Sequence, residues 1–297
     1  YPKKSLERLG LNKSELKGMA IAMMDSYPKR NIAKAFGIAR GTLYYRATLP
    51  AKDKAIFEQI IILYETDDTL GCRKLANLLG KSKGAIARVM LKYDIKPRRK
   101  RPSYKYPGKA DDIVNNLLRE KDIEDHKVLF TDLFQFRLAD GTKVYCCFII
   151  RKNTRQILAF CYGYGMPATL VTESINRLDL VVDLGRTDFV LHSDQGSQFG
   201  AKITVEACLA TAITRSMSRA GTPTDNPFAE RFVETFKLSV TERYRYENLK
   251  EFVAFATRWL NFYNEQRPHD GIGGISPNEF ARRNGFENVP YLYLNFV

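Results

Sequence analysis

Between about residue 125 and residue 240 the hydrophobic pattern changes its period several times, and the order of those changes restricts the fold. KVLFTDLFQFRL, KVYCCFIIR and QILAFCYGY are three successive strand-like runs, rich in β-branched and aromatic residues. ADGT (139–142) supplies an Asp-Gly hairpin signal between the first two. MPATLVTESINRLDLVVDLG then reads as an amphipathic helix, DFVLHSD as a buried strand and AKITVEACLATA as a helix. ITRSMS reads as a short edge strand, and a long helix follows from Asn226. Consecutive strands followed by strand–helix alternation predict an α/β fold, a mixed sheet flanked by helices.

Three acidic residues stand at informative points of this pattern. Asp132 lies inside the apolar strand VLFTDLFQF, where an unpaired carboxylate is costly to bury. Asp194 lies where the strand FVLHSD runs into a polar turn containing Gly196. Glu230 lies just inside the helix of TDNPFAERFVETFK, which Asp225 or Asn226 can cap. Thirty-five residues separate Asp194 from Glu230. Carboxylates at a strand centre, a strand end and a helix can converge, and they offer the hard oxygen ligands that magnesium takes. Two such ions about 3.5–4 Å apart activate a nucleophile and stabilise a leaving oxygen in phosphoryl transfer. Glu234, one turn beyond Glu230 on the same helix face, is the competing third acid.

The spacing of the three acids resembles that of the Asp-Asp-Glu phosphoryl transferases, retroviral integrases and bacterial transposases with a ribonuclease-H-like core. HSDQGSQF, SMSRAGTPTDNPFAERFVETFK and FYNEQRPHDGIGGISPNEF are similar to the catalytic subunit of the insertion-sequence-three family of transposases. The resemblance runs from about residue 27 to residue 281 with its catalytic blocks in order. It implies a ribonuclease-H-like core with Asp132, Asp194 and Glu230 as catalytic acids and ligands of two magnesium ions, manganese substituting. Glu234 is then a supporting neighbour. The implied reaction is hydrolysis at one element end, attack of the freed 3′-hydroxyl near the other end, and later insertion into target DNA. Positioning and charge neutralisation carry such steps. The implied partners are double-stranded DNA (terminal inverted repeats and target) and further copies of the chain, as a homodimer or higher oligomer on paired ends. Family members also carry an upstream helix-turn-helix and leucine zipper. Neither appears here, and a start at Tyr1 without Met is expected either of a piece of a longer protein or of a chain trimmed at its start.

The charge is divided along the chain in a way that separates two tasks. Residues 1–110 hold 25 Lys and Arg against nine Asp and Glu, a net of +16, whereas 111–297 hold 22 against 24. Polyanion binding therefore belongs to the first third and an acidic metal site to the remainder. The first third contains a repeat at an offset of 43, IAKAFGIARGTLYYRA (32–47) and LANLLGKSKGAIARVM (75–90). Each copy reads as a helix, a turn at Gly37 or Gly80, and a second helix. This is the helix-turn-helix pattern, although helical hairpins that bind nothing share it. The second helices are expected at about 40–47 and 83–93. Candidate DNA contacts are Arg40, Thr42, Tyr44, Tyr45 and Arg46 in the first copy, and Lys81, Lys83 and Arg88 in the second.

KPRRKRPSYKYPGKA (96–110) has three prolines and no apolar period, as an extended linker does. It is either a solvated tether or a phosphate-tracking arm, with Lys96, Arg98, Arg99, Lys100, Arg101 and Lys105 as contacts. Tyr104 and Tyr106 stack on bases or pack on the core. The expected organisation is a first helix-turn-helix at 1–50, a second at 51–95, a linker at 96–120, the catalytic core at 121–248 and a C-terminal helix and tail at 249–297.

Smaller features complete the site. His192 shares a sheet face with Asp194; it either orients that acid or touches phosphate, or is simply packed. Gln195 and Gln198 belong to the loop beside the metals, and Arg219 is a candidate phosphate clamp in an active-site loop. Arg267 and His269 are expected to brace the core against a neighbour or DNA. Five cysteines without a C-x-x-C pair, and three scattered histidines, exclude a disulfide framework and the zinc module of retroviral integrases. No stretch of 18 uncharged apolar residues exists, so no membrane span is expected, and the place of action is the bacterial cytoplasm with its nucleoid. The alternatives are a retroviral-type integrase or other Asp-Asp-Glu recombinase, and a DNA-binding regulator with an inactive nuclease-like domain.

Overall fold

The computed structural model describes residues 12–45, 48–99, 112–165, 167–182, 184, 187–289 and 291–297. The chain divides into two units, Tyr1–Ala55 and Ile56–Val297.

The first unit contains α1 (Lys13–Ala22), α2 (Lys29–Phe36) and α3 (Arg40–Tyr44). Its small core is Ala20, Ile32, Ala33 and Leu43. Gly37 ends α2 at φ 63°, and Ile38 N–H closes the end by donating to Ala33 O at 3.0 Å. The second helix is shorter than expected, because Tyr45 is already extended at φ −67° and ψ 119°.

The second unit begins within α4 (Leu49–Thr66) and continues with α5 (Cys72–Leu79) and α6 (Lys83–Lys92). Gly80 repeats the geometry of Gly37: its φ is 58°, and Lys81 N–H donates to Ala76 O at 3.0 Å. Left-handed backbone at both turns is why glycine stands at the same place in each copy. Ser82 then caps α6 through Ala85 N–H at 3.2 Å. Ile60, Leu70, Leu75, Ile86 and Val89 form a separate core, and Phe262 from the far end of the chain completes it.

The rest of the unit is built on β1 (Val128–Arg137), β2 (Lys143–Arg151), β3 (Ile157–Gly163), β4 (Val190–Ser193), β5 (Thr214–Met217) and β6 (Asn295–Phe296). The sheet order is β5-β4-β1-β2-β3-β6. β2 is antiparallel to β1 and β3, while the β1–β4, β4–β5 and β3–β6 pairs are parallel. A three-strand meander extended on its first strand by two parallel strands is the ribonuclease-H-like arrangement.

Helices cover both faces. After the short α7 (Leu117–Glu120), which precedes β1, come α8 (Pro167–Asn176), α9 (Lys202–Ala210), α10 (Pro227–Phe236), α11 (Leu249–Glu265) and α12 (Pro277–Arg283). Cys147 of β2 faces Ser174 of α8, whereas its neighbour Phe148 meets Phe232 of α10 at 4.3 Å between ring centroids. Alternate residues point to opposite faces, so α8 and α10 lie on opposite sides of the sheet. α8 is shorter than its sequence pattern; it ends at Asn176 and gives way to a 3₁₀ turn at Leu178–Leu180. α10 buries Ala229, Phe232, Val233 and Phe236, a helical i, i+3, i+4, i+7 stripe. It runs on into a π-helical turn, Lys237–Thr241. The aromatic stripe of α11 is core: Trp259 packs on Phe236 at 5.4 Å, and Phe262 turns into the helical core. Among the described residues no helix is long and apolar enough to cross a membrane.

Candidate active site

The register of two parallel strands brings the first two acids together. β1 and β4 pair Val128 with Val190, Leu129 with Leu191 and Phe130 with His192. Two residues further along each strand stand Asp132, at the middle of β1, and Asp194, just past the end of β4, so both project from the same face of adjacent strands. That face is the α10 side, because Asp132 lies opposite Phe148 in β2, whose ring meets Phe232 of α10. Asp132 and Asp194 line one cavity of about 280 Å³ with Leu133, Gly196, Ser197, Gln198 and Phe199.

The third acid arrives on α10, and the start of that helix is tied to β1. Asn226 donates from Nδ2 to the carbonyl of Thr131, the residue before Asp132, at 3.2 Å. Glu230 follows one turn later, its N–H bonded to Asn226 O at 3.2 Å. The expected side-chain cap is absent. Asn226 is engaged by Thr131 and Asp225 by arginines, while Pro227 at the first turn has no N–H to satisfy.

The three carboxylates feel one another. Burial and then the charge of Asp194 push the Asp132 carboxyl up to about 7, with Glu230 adding to the rise and Lys237 opposing it. Burial raises Asp194 against a hydrogen bond from Gly196 N–H. Burial and Asp194's charge raise Glu230. Asp132 and Asp194 are half-buried in the cavity whereas Glu230 is exposed and does not line it, and repulsion between such carboxylates is relieved by protons or by a cation. Glu234 differs: its carboxylate pairs with Arg231 Nη1 at 2.7 Å. Among the described residues, however, no three His, Cys, Asp or Glu side chains are close enough together to hold a metal ion. The pair Asp132 and Asp194 offers the oxygen donors that a hard divalent cation takes, such ions commonly binding one or two carboxylates and completing their shell with water and phosphate.

The surroundings hold Asp194 in place. Its Oδ1 accepts from Gly196 N–H at 2.9 Å, and a Cβ at residue 196 would sit 3.0 Å from that same oxygen. Gln198 lines the cavity; Gln195 does not. His192 is fully buried, with Nδ1 2.9 Å from Ser216 Oγ and Nε2 3.0 Å from Ser218 Oγ. Burial lowers its pKa to about 4, so the ring is neutral near pH 7. It fastens β4 to β5 rather than reaching the cavity.

The residues expected to face DNA have varied surroundings. Arg40, Tyr44 and Tyr45 are exposed and Thr42 is half-exposed; Lys29 and Lys17 lie over the two tyrosine rings at 5.1 and 4.9 Å. Lys81, Lys83, Arg88 and Arg99 are exposed, and Lys96 pairs with Asp94 at 2.7 Å. Arg98 instead braces the second unit, through Asp68 at 3.2 Å and Glu242 O at 3.3 Å. Arg46, Lys100, Arg101, Tyr104, Lys105 and Tyr106 lie outside the described residues. Arg219 is half-exposed and bound to Asp225 Oδ2 at 3.0 Å.

Asn116 and Arg119 carried no signal in the sequence, yet both bond Asp225, at 3.0 and 3.1 Å. They come from the stretch before β1, over a hundred residues away, and only the fold joins them. Arg267 and His269 brace the chain internally. Arg267 Nε meets the buried Asp67 at 2.8 Å, and His269 packs edge-on against Tyr263 at 4.6 Å.

These features define a class: a ribonuclease-H-like core with paired acids on two adjacent strands, one at a strand centre and one at a strand end. The family profile described as integrase core domain matches residues 124–223, and a second of the same description matches 211–277. A probable transposase for insertion sequence element IS1353 from Shigella flexneri is 27% identical over 303 residues, covering 95% of this chain; this chain covers 58% of that protein. The putative transposase InsK for insertion sequence element IS150 from Escherichia coli (strain K12) is 25% identical over 276 residues, covering 86% of this chain and 94% of its own. Among solved structures, the simian T-cell lymphotropic virus intasome with PP2A regulatory subunit B56 gamma aligns at a TM-score of 0.42 and 15% identity, over 70% of this chain and 73% of that one. The catalytic core domain of BIV integrase aligns at 0.38 and 18%, over 54% and 96%. The chain carries an integrase core over these residues and is similar to insertion-sequence transposases.

Proposed function

We propose that this chain binds the ends of a bacterial insertion sequence and catalyses divalent-cation-dependent cleavage and transfer of DNA strands. The observation that carries the reading is the register of β1 and β4, which supports a pair formed by Asp132 and Asp194 in one cavity, with Glu230 near enough to feel the charge of Asp194. Asp132 and Asp194 would hold magnesium or manganese, with Glu230 closing the set. Such a cation, when bound, neutralises phosphate charge and activates the attacking oxygen. The protein's part is alignment. Gly196 N–H fixes one oxygen of Asp194, Asn226 fixes the start of the Glu230 helix, and Lys237 places a positive charge near Asp132. The basic helical pairs at the start of the chain supply DNA affinity, Lys81, Lys83 and Arg88 from the second and Arg40 from the first. Joining two ends requires two strands to be served, so the working form is a dimer or higher oligomer on paired ends.

The test compares metal-dependent cleavage of a labelled element-end duplex, with binding measured on the same samples. Glu230→Gln should abolish cleavage and keep binding, as should Asp132→Asn and Asp194→Asn. The loss should exceed the ~10–100-fold that removing a mere outer partner of a metal ligand costs. Glu234→Gln should leave most activity, because its carboxylate already serves Arg231. An inactive Glu234→Gln beside an active Glu230→Gln would refute the assignment.

A further inference from the structure

The loop before α10 carries one carboxylate with more positive charge around it than it needs. Asp225 has a side chain only 1% exposed. Its Oδ2 accepts from Arg219 N–H at 3.1 Å, Arg219 Nε at 3.0 Å and Asn116 Nδ2 at 3.0 Å. Its Oδ1 accepts from Arg119 Nε at 3.1 Å, Arg119 Nη2 at 3.0 Å and Arg219 Nη2 at 3.3 Å. Two guanidinium groups thus share one negative charge, a local net of +1. Asn116 and one bidentate arginine would satisfy a buried carboxylate, and the second guanidinium brings like-charge repulsion along with its own bonds to Asp225. Both arginine side chains remain more than half exposed, at 55% and 54%. Among the described residues neither Nη1 has a hydrogen-bond partner.

The position is as informative as the charge. Arg219 follows Ser218, whose N–H donates to Ser193 O at 2.8 Å, beside Asp194. Asp225 precedes Asn226, which is tied to Thr131 beside Asp132. Arg119 comes from the chain just after the basic 96–110 run. Arg219 and Asp225 therefore stand on a loop tied at both ends to residues adjoining the two strand acids, and Arg119 joins them there. Planar guanidinium edges fit the non-bridging oxygens of a phosphodiester.

We infer that Arg119 and Arg219, oriented together by the shared carboxylate of Asp225, form a seat for a backbone phosphate of the DNA strand entering the acidic site. This rests on the reading that the chain acts on DNA. Arg119 is the new contact, and Asp225 is a positioning residue that never touches DNA.

The experiment uses the full chain and the labelled element-end duplex, which fixes the register, with binding measured across a range of salt. Arg119→Gln and Arg219→Gln should each lower the slope of log affinity against log salt by about 0.9, the value for one lost phosphate contact. Asn116→Ala, which removes a bond to Asp225 but no charge, should leave the slope unchanged. Single methylphosphonates are then placed along each strand. One position should weaken binding by the wild-type chain and have no further effect on Arg119→Gln. Folded Arg119→Gln and Arg219→Gln proteins with the wild-type slope, and equal methylphosphonate effects in all proteins, would overturn the seat and leave the arginines as braces for Asp225. A wild-type chain that neither binds duplex in a salt-dependent way nor cuts it would remove the underlying reading as well.

Discussion

At the scale of single residues, the site depends on side chains that never enter the cavity. His192 stands two residues before Asp194, and the structure uses it to join Ser216 and Ser218 of the neighbouring strand and loop. Its burial has a measurable consequence. The folded chain holds this imidazole neutral down to about pH 4, whereas the unfolded chain protonates it near 6.5. Between those values the unfolded state binds more protons, so stability falls as pH falls, by at most about 1.4 kcal/mol per pH unit from this group. His269, buried and also held well below its ordinary value, adds a loss of the same sign. Denaturant unfolding at a series of pH values should show a decline beginning near 6.5, and His192→Gln should flatten part of it. A profile unchanged by that substitution would show that His192 titrates normally in the folded chain.

At the scale of elements, α10 is the part on which the proposed chemistry turns. Its buried stripe packs on β1 and β2, and the same Phe236 also meets Trp259 of α11. That packing sets the depth of the helix, and the bond from Asn226 to Thr131 O sets where it starts. Asn226→Ala removes a buried donor and leaves a strand carbonyl unsatisfied, at a cost of about 1–3 kcal/mol. Cleavage should fall further than DNA binding, because the displaced group is Glu230 and not a basic residue. Melting temperature, binding and cleavage measured together check this; equal loss of binding and cleavage would mean the bond only supports the fold.

At the scale of the molecule, the second helical pair and the catalytic sheet share one unit. Asp67, at the end of α4, is fully buried. It accepts from Arg267 Nε at 2.8 Å, Thr69 Oγ1 at 2.6 Å and Ser239 Oγ at 2.9 Å. Burial alone would raise its pKa, but Arg267's charge and the Thr69 and Arg267 bonds hold it below the usual carboxylate range. Arg243 adds a bond to Tyr64 O, and Asn77 donates to Gly274 O at 3.0 Å. Ser239 belongs to the π-helical turn that continues α10, so the lock reaches the helix bearing Glu230. Residues 48–297 should therefore fold without the first unit, whereas 112–297 should not, since it strips the cover from Phe262 and leaves Arg267 buried without its partner. Asp67→Ala in the full chain should cost roughly 3–5 kcal/mol for the same reason. Thermal melts and hydrogen exchange over 72–92 and 259–267 test both statements; a stable 112–297 fragment would show that the lock is dispensable.

Much of this was legible in the chain itself, because the signals are local. Period-two and period-3.6 patterns placed β1, β4 and α10, and a left-handed turn demanded Gly37 and Gly80 at equal places in the repeat. Asp132 in an apolar strand stood out because burying a lone carboxylate is costly. Tertiary structure alone decided what depends on distant partners. Strand register set Asp132 beside Asp194, and the fold gave Asp225 two arginines, one from more than a hundred residues away. Arg98 joined Asp68 and Glu242 in the second unit, and Asp67 and Arg267 met across 200 residues. Hydrogen bonds and ion pairs of this kind are specified by geometry over a few ångströms, and separation along a sequence contains no such distance.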